Sequence, residues 1–155
     1  MAAQLWLLRH GEAVPHDSKP DDSLRELTAR GERQAISAGE GLARLGVEFA
    51  ACYTSPKVRA RDTARLTCRA LNIEPEEVDV LADGFDADDA HELLLGHDAD
   101  ARILAVGHEP SFSQVVHDLT GARIDLKKGG VAGVRVAGAS ELIALLRPRE
   151  LDRIR

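Results

Sequence analysis

Aromatic residues and cysteines are both scarce in this chain of 155 residues. Aromatic side chains make up 3% of it, too little for the stacking surfaces with which proteins bind single-stranded nucleic acids. The two cysteines, Cys52 and Cys68, are too few for a disulfide framework and do not form a CxxC motif. We therefore expect two buried thiols in a reducing compartment.

Long apolar segments are missing as well. No stretch approaches the roughly 18 apolar residues of a membrane-spanning helix, and the N-terminal segment lacks the charged and apolar regions of a signal peptide. The net charge of -6 argues against general affinity for nucleic acids or anionic membranes. These absences predict a cytoplasmic protein, with residues 1–155 forming one domain and with no nucleic-acid or membrane partner. They leave the oligomeric state open.

Strand and helix patterns alternate along the chain. Apolar segments predict strands at residues 4–9, 51–54, 78–81, 103–106, 133–136 and 142–146. Cap and stop residues predict helices at 29–45, 56–71, 90–95 and 111–119, the second with Ser55 as its N-cap and Pro56 in its first turn. Such alternation is typical of an α/β fold, a three-layer sandwich with helices on both faces of a mostly parallel central sheet. The last two strands would add an antiparallel hairpin at its edge.

Polar side chains with phosphate chemistry follow three of these predicted strands. Arg9, His10 and Gly11 follow the first, Ser55 and Arg59 follow the second, and His108 follows the fourth. The carboxyl ends of parallel strands meet at one edge of a sheet, where ligands bind. Arginine binds phosphate through paired hydrogen bonds, histidine can act as a nucleophile, and helix N-termini favour anions. The sequence therefore predicts a phosphoryl-binding pocket at this edge.

Four segments, taken in order, resemble the motifs of the histidine phosphatase superfamily. They are Arg-His-Gly-Glu at 9–12, LTARGERQA at 27–35, SPKVRARDTA at 55–64 and Gly-His-Glu-Pro at 107–110. The short chain and the segments 25–28 and 128–131 resemble the SixA-type branch, which is associated with removing phosphate from phosphohistidine on signalling proteins. The resemblance implies a phosphoglycerate mutase-like fold and a phosphorylated substrate, either a protein carrying phosphohistidine or a small molecule.

The resemblance also implies a mechanism. His10 would attack phosphorus and carry the phosphoryl group, while Arg9, Arg59 and His108 would hold its oxygens until water releases it. Neither a metal nor another cofactor is required, because the guanidinium groups supply the positive charge.

Further residues are candidates for binding the substrate. Gly11 and Ser55 lie within the motifs themselves. Glu12 could order the loop or be an exposed turn carboxylate, Arg25 could reach the phosphate or face solvent, and Lys128 could lean over the pocket mouth or belong to a basic turn. The other histidines are expected to be surface or structural residues, although His16 lies in a polar loop and could approach the pocket: His16, His91, His97 and His117.

The proton donor is where this sequence departs from the wider family, many members of which use a glutamate after the third strand. Asp83 is the candidate by position, although the acidic segment 83–89 could equally be a solvated loop. An alkoxide leaving group needs a proton in the transition state, whereas imidazole departs more readily. The missing glutamate therefore favours phosphohistidine as the substrate.

Other functions stay open from the sequence. The first is a phosphatase for a small phosphometabolite or nucleotide, and the second is a non-catalytic phosphate-binding module on the same fold. The third is a metallohydrolase whose metal is bound by His10, His108 and an aspartate of segment 83–89. The last matches no known ligand spacing, and Arg9 and Arg59 would repel a cation.

Overall fold

The computed structural model of this chain describes residues 2–155, which form a six-stranded sheet flanked by five helices. The strands are β1 (Ala3–Arg9), β2 (Ala51–Thr54), β3 (Pro75–Glu77), β4 (Arg102–Gly107), β5 (Val131–Val136) and β6 (Glu141–Leu146). They lie in the order β3-β2-β4-β1-β5-β6. The first four in this order pair in parallel, whereas β5 pairs antiparallel with both β1 and β6. The predicted parallel sheet with an antiparallel edge hairpin is confirmed.

Helices cover both faces of the sheet. They are α1 (Ala29–Arg44), α2 (Val58–Leu71), α3 (Ala87–Leu94), α4 (Ser111–Thr120) and α5 (Pro148–Ile154). Because side chains alternate along a strand, Leu5 and Leu7 of β1 pack towards α3 and α4, while Trp6 and Leu8 pack towards α1, α2 and α5. The two cores confirm the three-layer α/β sandwich.

The residues predicted to begin α1 and to end α1 and α4 are confirmed. Thr28 caps α1 by accepting a hydrogen bond from the Gly31 N–H at 3.0 Å. Gly46 and Gly121 follow α1 and α4 with φ angles of 76° and 79°, a backbone conformation that glycine adopts without steric cost. Among residues 2–155, no helix is both long enough and apolar enough to cross a membrane.

The third strand was predicted in the wrong place. The prediction put it at 78–81, but β3 is Pro75–Glu77, and Asp79–Leu81 forms a 3-10 turn that buries Leu81. β3 lies at the edge of the sheet, where it pairs with β2. Its glutamates can therefore face solvent, and the sheet can accommodate Pro75, which has no backbone N–H to donate. Its composition therefore does not mark it as a strand.

Three predictions about helices also need correction. α2 begins at Val58 rather than at Pro56, and the Ser55 hydroxyl accepts the N–H of Lys57 instead of capping the helix. α3 begins at Ala87 rather than at 90, because Asp86 and Asp89 form a reciprocal capping box. α5 was not predicted, since only one of its residues within the described chain, Leu151, is buried in the core and most of its segment is charged.

Candidate active site

His10 and His108 lie side by side because they follow neighbouring parallel strands. β1 and β4 pair with Arg9 opposite Gly107, and the His10 N–H donates to the Gly107 carbonyl at 3.1 Å. The centroids of the two imidazole rings are 5.3 Å apart. The predicted convergence of strand ends therefore brings both rings to one site.

The loop that carries His10 is held on one side by the backbone of Gly129 and Gly130 and on the other side by Thr63 of α2. The Arg9 N–H donates to the Gly130 carbonyl at 3.1 Å, and the Gly129 N–H donates to the carbonyls of both Arg9 and His10 at 3.0 Å. On the other side, the Gly11 N–H donates to Oγ1 of Thr63 at 3.1 Å. These bonds fix the direction in which the His10 side chain leaves the backbone.

The hydrogen bond made by the His10 ring determines its tautomer. Nδ1 lies 2.7 Å from the carbonyl oxygen of Gly11. A carbonyl oxygen can only accept, so Nδ1 carries the proton. In the neutral ring, Nε2 therefore keeps its lone pair, which is what a nucleophile requires.

The surroundings of His10 keep its ring neutral. Burial lowers the pKa of His10 to about 3, and the positive charges of Arg59 and Arg9 act in the same direction. The hydrogen bond to the Gly11 carbonyl opposes them without reversing the result. At neutral pH the imidazole is uncharged.

Two guanidinium groups face the same space. Arg9 donates to the Leu126 carbonyl at 3.0 Å, and Arg59 donates from Nη1 to the Asp22 carbonyl at 2.9 Å. Among residues 2–155, the buried side-chain nitrogens and oxygens that make no hydrogen bond are Nε of Arg9, Nε of Arg59 and Nδ1 of His108. Buried polar atoms are nearly always paired, and here all three belong to residues around His10. They form a donor set suited to an anion.

His108 is oriented by Ser55. Its Nε2 lies 2.8 Å from Oγ of Ser55, which already accepts the Lys57 N–H at 3.2 Å. The hydroxyl proton is therefore available to Nε2, an assignment that leaves Nδ1 of His108 as an N–H donor. Burial lowers the pKa of His108 to about 4, with the charges of Arg59 and Lys57 contributing.

Asp22 bridges two arginines, Arg25 in its own loop and Arg59 in α2. Its carboxylate accepts from Nη2 of Arg59 at 3.1 Å and from Nε of Arg25 at 2.7 Å. Burial opposes ionisation of Asp22, but the hydrogen bond from Arg25 and the charge of Arg59 outweigh it and lower its pKa to about 2. Arg25 is buried and also donates to the Val14 carbonyl, so it does not face solvent.

These groups enclose a small cavity of about 150 Å³. We call it the phosphate cavity. Its lining residues are Arg9, His10, Ala13, His16, Arg25, Arg59, His108, Glu109 and Lys128. Its charge is mostly positive, because three arginines and Lys128 outnumber the one lining carboxylate, Glu109. The Glu109 carboxylate accepts hydrogen bonds from the backbone N–H and the hydroxyl of Ser113.

Gly11 and Glu12 connect the loop to α1 and do not line the phosphate cavity. A Cβ on Gly11 would lie 2.5 Å from the carbonyl oxygen of Gly31, so this contact requires glycine. Glu12 accepts from the Thr28 hydroxyl at 2.9 Å, and its backbone N–H donates to Gln34 at 2.8 Å. Both residues position His10.

Asp83 lies outside the phosphate cavity, paired with Lys57. The Lys57 ammonium is 2.8 Å from its carboxylate, whose side chain is 83% exposed. The hydrogen bond and charge of Lys57 lower the pKa of Asp83. An ionised carboxylate is a poor proton donor, so this placement does not favour Asp83 as the acid.

Sequence reasoning missed several residues of this site. Asp22 lies in a polar loop without strand or helix periodicity, and no motif marks it. His16, in the same loop, lines the phosphate cavity with an exposed side chain, in line with the expectation that it could approach the pocket. Thr63 lies within the segment SPKVRARDTA, but its hydrogen bond to Gly11 depends on the packing of α2 against the loop. Within residues 2–155, no three His, Cys, Asp or Glu side chains are grouped so that they could bind a metal ion.

Comparison with known proteins agrees with this geometry. A family model described as histidine phosphatase superfamily (branch 1) matches residues 5–85. An uncharacterised protein of Picosynechococcus sp. is 31% identical over 162 residues, covering 96% of this chain and 98% of its own length. The structure of the protein histidine phosphatase SixA complexed with tungstate superposes with a TM-score of 0.84 at 24% identity, covering 96% of this chain and 99% of that one. A protein of Nakamurella multipartitia, provisionally assigned as the phosphohistidine phosphatase SixA, gives a TM-score of 0.78 at 25% identity, covering 96% and 97% of the two chains.

The fold and the site together define an α/β protein whose cavity is lined by arginine and histidine side chains at the carboxyl ends of parallel strands, an arrangement suited to a phosphoryl group. The chain belongs to the histidine phosphatase superfamily. Its architecture is that of the SixA structures, which confirms the resemblance read from the motifs.

Proposed function

We propose that the protein hydrolyses the phosphoryl group of a phosphohistidine side chain on another protein, by way of a phosphohistidine intermediate on His10. The observation that carries this proposal is the ring geometry of His10. The proton on Nδ1 is engaged by the Gly11 carbonyl, so the lone pair of Nε2 is available beside the guanidinium groups of Arg9 and Arg59.

In the first step, Nε2 of His10 forms a bond to phosphorus as the bond between phosphorus and the substrate imidazole breaks. The electron pair of the broken bond stays on the leaving nitrogen. A proton already present on the other nitrogen of that ring lets it leave as neutral imidazole. Arg9, Arg59 and His108 stabilise the phosphoryl oxygens as charge shifts.

In the second step, a water oxygen bonds to phosphorus and the electron pair of the phosphorus–nitrogen bond returns to Nε2 of His10. Both protons of the water leave with the product, dihydrogen phosphate. The ring is then neutral again, with its proton still on Nδ1 beside Gly11. Neither step requires a metal ion, because the positive charge around the phosphoryl group comes from guanidinium groups.

The carboxylates around the site support phosphohistidine as the substrate. Asp22 is bound by two arginines, Glu109 accepts hydrogen bonds from Ser113, and Asp83 is paired with Lys57. All three therefore act as acceptors and not as proton donors. An ester oxygen would need a donated proton to leave, whereas a protonated phosphoimidazole would not.

A small phosphorylated molecule is the second candidate substrate. The observation in its favour is His16, which lines the phosphate cavity with a side chain that is 88% exposed. An imidazole in this position could deliver a proton to an ester oxygen.

The test compares a phosphohistidine peptide with an alkyl phosphate ester, glycerol 3-phosphate, for the wild type, for His10→Ala and for the matched variant His117→Ala. We expect the wild type and His117→Ala to hydrolyse the peptide faster than the ester, and a chelator to leave both rates unchanged. His10→Ala should lose turnover, because it lacks the nucleophile. Rapid quenching should trap phosphate on His10 in the wild type.

Three results would contradict the proposal. Turnover by His10→Ala would exclude the intermediate. Equal or faster hydrolysis of the ester would favour the small-molecule substrate. Phosphate binding without turnover of either substrate would identify a non-catalytic phosphate-binding module.

A further inference from the structure

A groove rich in arginine and lysine opens beside the phosphate cavity. It has a volume of about 450 Å³, and we call it the basic groove. Its charged lining residues are the cations Arg9, Arg30, Lys127, Lys128, Arg147 and Arg149 and the carboxylate Glu12. Because the whole chain has a net charge of -6, this concentration of positive charge is local.

Neighbouring carboxylates neutralise only part of the groove. Glu12 lies 3.4 Å from Arg30, and Asp125 lies 2.7 Å from Lys127. Glu150 is shared by Arg147 at 2.9 Å and Arg149 at 3.5 Å. Lys128 is exposed and makes no ion pair with any residue of the described range 2–155. The groove therefore keeps a positive surplus.

The basic groove is continuous with the phosphate cavity. Arg9 and Lys128 line both. The cavity measures about 150 Å³ and the groove about 450 Å³, so a phosphoryl group bound near His10 would have the larger part of its carrier beside the groove. A small metabolite would leave most of the groove uncovered.

We propose that the basic groove docks an acidic surface of the protein that carries the phosphohistidine. This inference rests on the proposed function and adds the chemical character of the partner. Guanidinium groups pair with carboxylates through two parallel hydrogen bonds, and complementary charge speeds association and fixes orientation. Lys128 and Arg9, shared by cavity and groove, would align the carboxylates of the partner with its phosphoryl group.

The aromatic residues favour an acidic protein over a nucleic acid. Trp6, Phe49, Phe85 and Phe112 are buried in the two cores, and no aromatic residue lines the groove. Bases of a single strand would find nothing to stack on. An extended polyanion would also meet the net negative charge of the rest of the surface.

The test uses synthetic phosphohistidine peptides that differ only in their flanking residues, which are glutamate, serine or lysine. For the wild type, we expect the glutamate-flanked peptide to have the lowest KM, at least about fivefold below that of the lysine-flanked peptide. The difference should shrink when salt is raised from about 0.05 M to about 0.3 M, because exposed charges are screened. Phosphoramidate is too small to reach the groove, so substitutions in the groove should not alter the rate at which it is hydrolysed.

The variant Lys127→Glu/Arg149→Glu reverses two exposed charges of the groove that do not line the phosphate cavity. We expect it to raise the KM for the glutamate-flanked peptide at least about fivefold and to leave phosphoramidate hydrolysis unchanged. Arg44→Glu/Arg69→Glu makes the same charge change on exposed residues of α1 and α2. This control variant should change neither the KM for the glutamate-flanked peptide nor the hydrolysis of phosphoramidate. Thermal unfolding of each variant checks that it is folded, and Lys127→Gln/Arg149→Gln should give an intermediate effect.

The docking proposal can fail independently of the proposed function. It is overturned if phosphoramidate is hydrolysed but the three peptides have equal KM values, or if the groove and control variants behave alike. Binding of the unphosphorylated glutamate peptide, measured by fluorescence anisotropy, tests docking even without turnover. Tighter binding of a single-stranded oligonucleotide or of phosphatidylserine vesicles would also overturn it.

Discussion

At the residue scale, the carbonyl oxygen of Gly11 determines which nitrogen of His10 is available for the proposed attack on phosphorus. The 2.7 Å contact holds the proton on Nδ1, and burial keeps the ring neutral by lowering the pKa of His10 to about 3. Arg9 and Arg59 supply positive charge that an anion can use without protonating the nucleophile. The tautomer of His10 is thus set by one backbone atom and its protonation state by the surroundings.

Replacing Arg59 with lysine tests how far the fork geometry of the guanidinium matters. Arg59 uses its two terminal nitrogens on Asp22 and leaves Nε unpartnered, so lysine keeps the charge but loses the paired donors. We expect Arg59→Lys to lower kcat/KM at least about tenfold. Arg61→Lys, two residues further along α2 and paired with Asp62, is the matched control and should stay within about twofold. Similar losses in both variants would contradict this role.

Sequence motifs identified the residues whose backbone follows a strand or begins a helix: Arg9, His10, Ser55, Arg59 and His108. They did not identify Asp22, whose carboxylate reaches Arg59 only because its loop folds over α2. They also left Arg25 undecided between the site and solvent, and its burial follows from the same loop. Residues placed by loop packing have no periodicity from which to predict them.

At the element scale, the phosphate cavity depends on the contact between the β1 loop and the start of α1. Gly11 and Gly31 bring the two backbones together, and Glu12 links the loop to Thr28 through its carboxylate. β3 and α5 were mispredicted or missed because their positions depend on an edge pairing and on one buried leucine. β1 and β4 were predicted correctly because each is a run of consecutive apolar residues that are buried in the sheet.

Gly31→Ala tests this contact. Alanine is favoured over glycine in a free helix by up to about 1 kcal/mol, but a Cβ here would lie 2.0 Å from the Glu12 carbonyl oxygen. We expect a loss of about 2 kcal/mol in the free energy of unfolding, measured by urea denaturation, and a reduced kcat in the folded variant. Gly138→Ala, where a Cβ meets nothing within 4 Å, is the control and should change stability by less than about 0.5 kcal/mol. A stabilised Gly31→Ala would show that the two backbones are not tightly packed.

At the scale of the whole molecule, the buried histidines couple stability to pH. Burial lowers the pKa of His10 to about 3 and that of His108 to about 4, from an ordinary value of 6.5. Below that ordinary value the unfolded chain binds protons that the folded protein does not. The free energy of unfolding therefore falls as the pH drops from about 6.5 towards these lowered pKa values.

The variant His10→Asn should weaken this dependence. Between about pH 6 and pH 4 we expect its free energy of unfolding to fall less steeply than that of the wild type, by about 1.4 kcal/mol per pH unit for the one proton removed. His108→Asn should show the same effect over a narrower range, because the pKa of His108 is less strongly lowered. Parallel curves for the wild type and His10→Asn in urea denaturation would show that the ring is not held neutral.

The strand order places β1 beside β5, although residues 10–130 of the sequence lie between the two strands. β1 is paired on one side with β4 and on the other with β5. The backbone of Gly129 and Gly130, just before β5, forms hydrogen bonds with the backbone of Arg9 and His10. During synthesis His10 is made before Gly129 and Gly130, so the hydrogen bonds that hold its loop cannot form until residues 129–130 have been translated. A fragment that ends before residue 129 would therefore lack the backbone contacts that fix the direction of the His10 side chain.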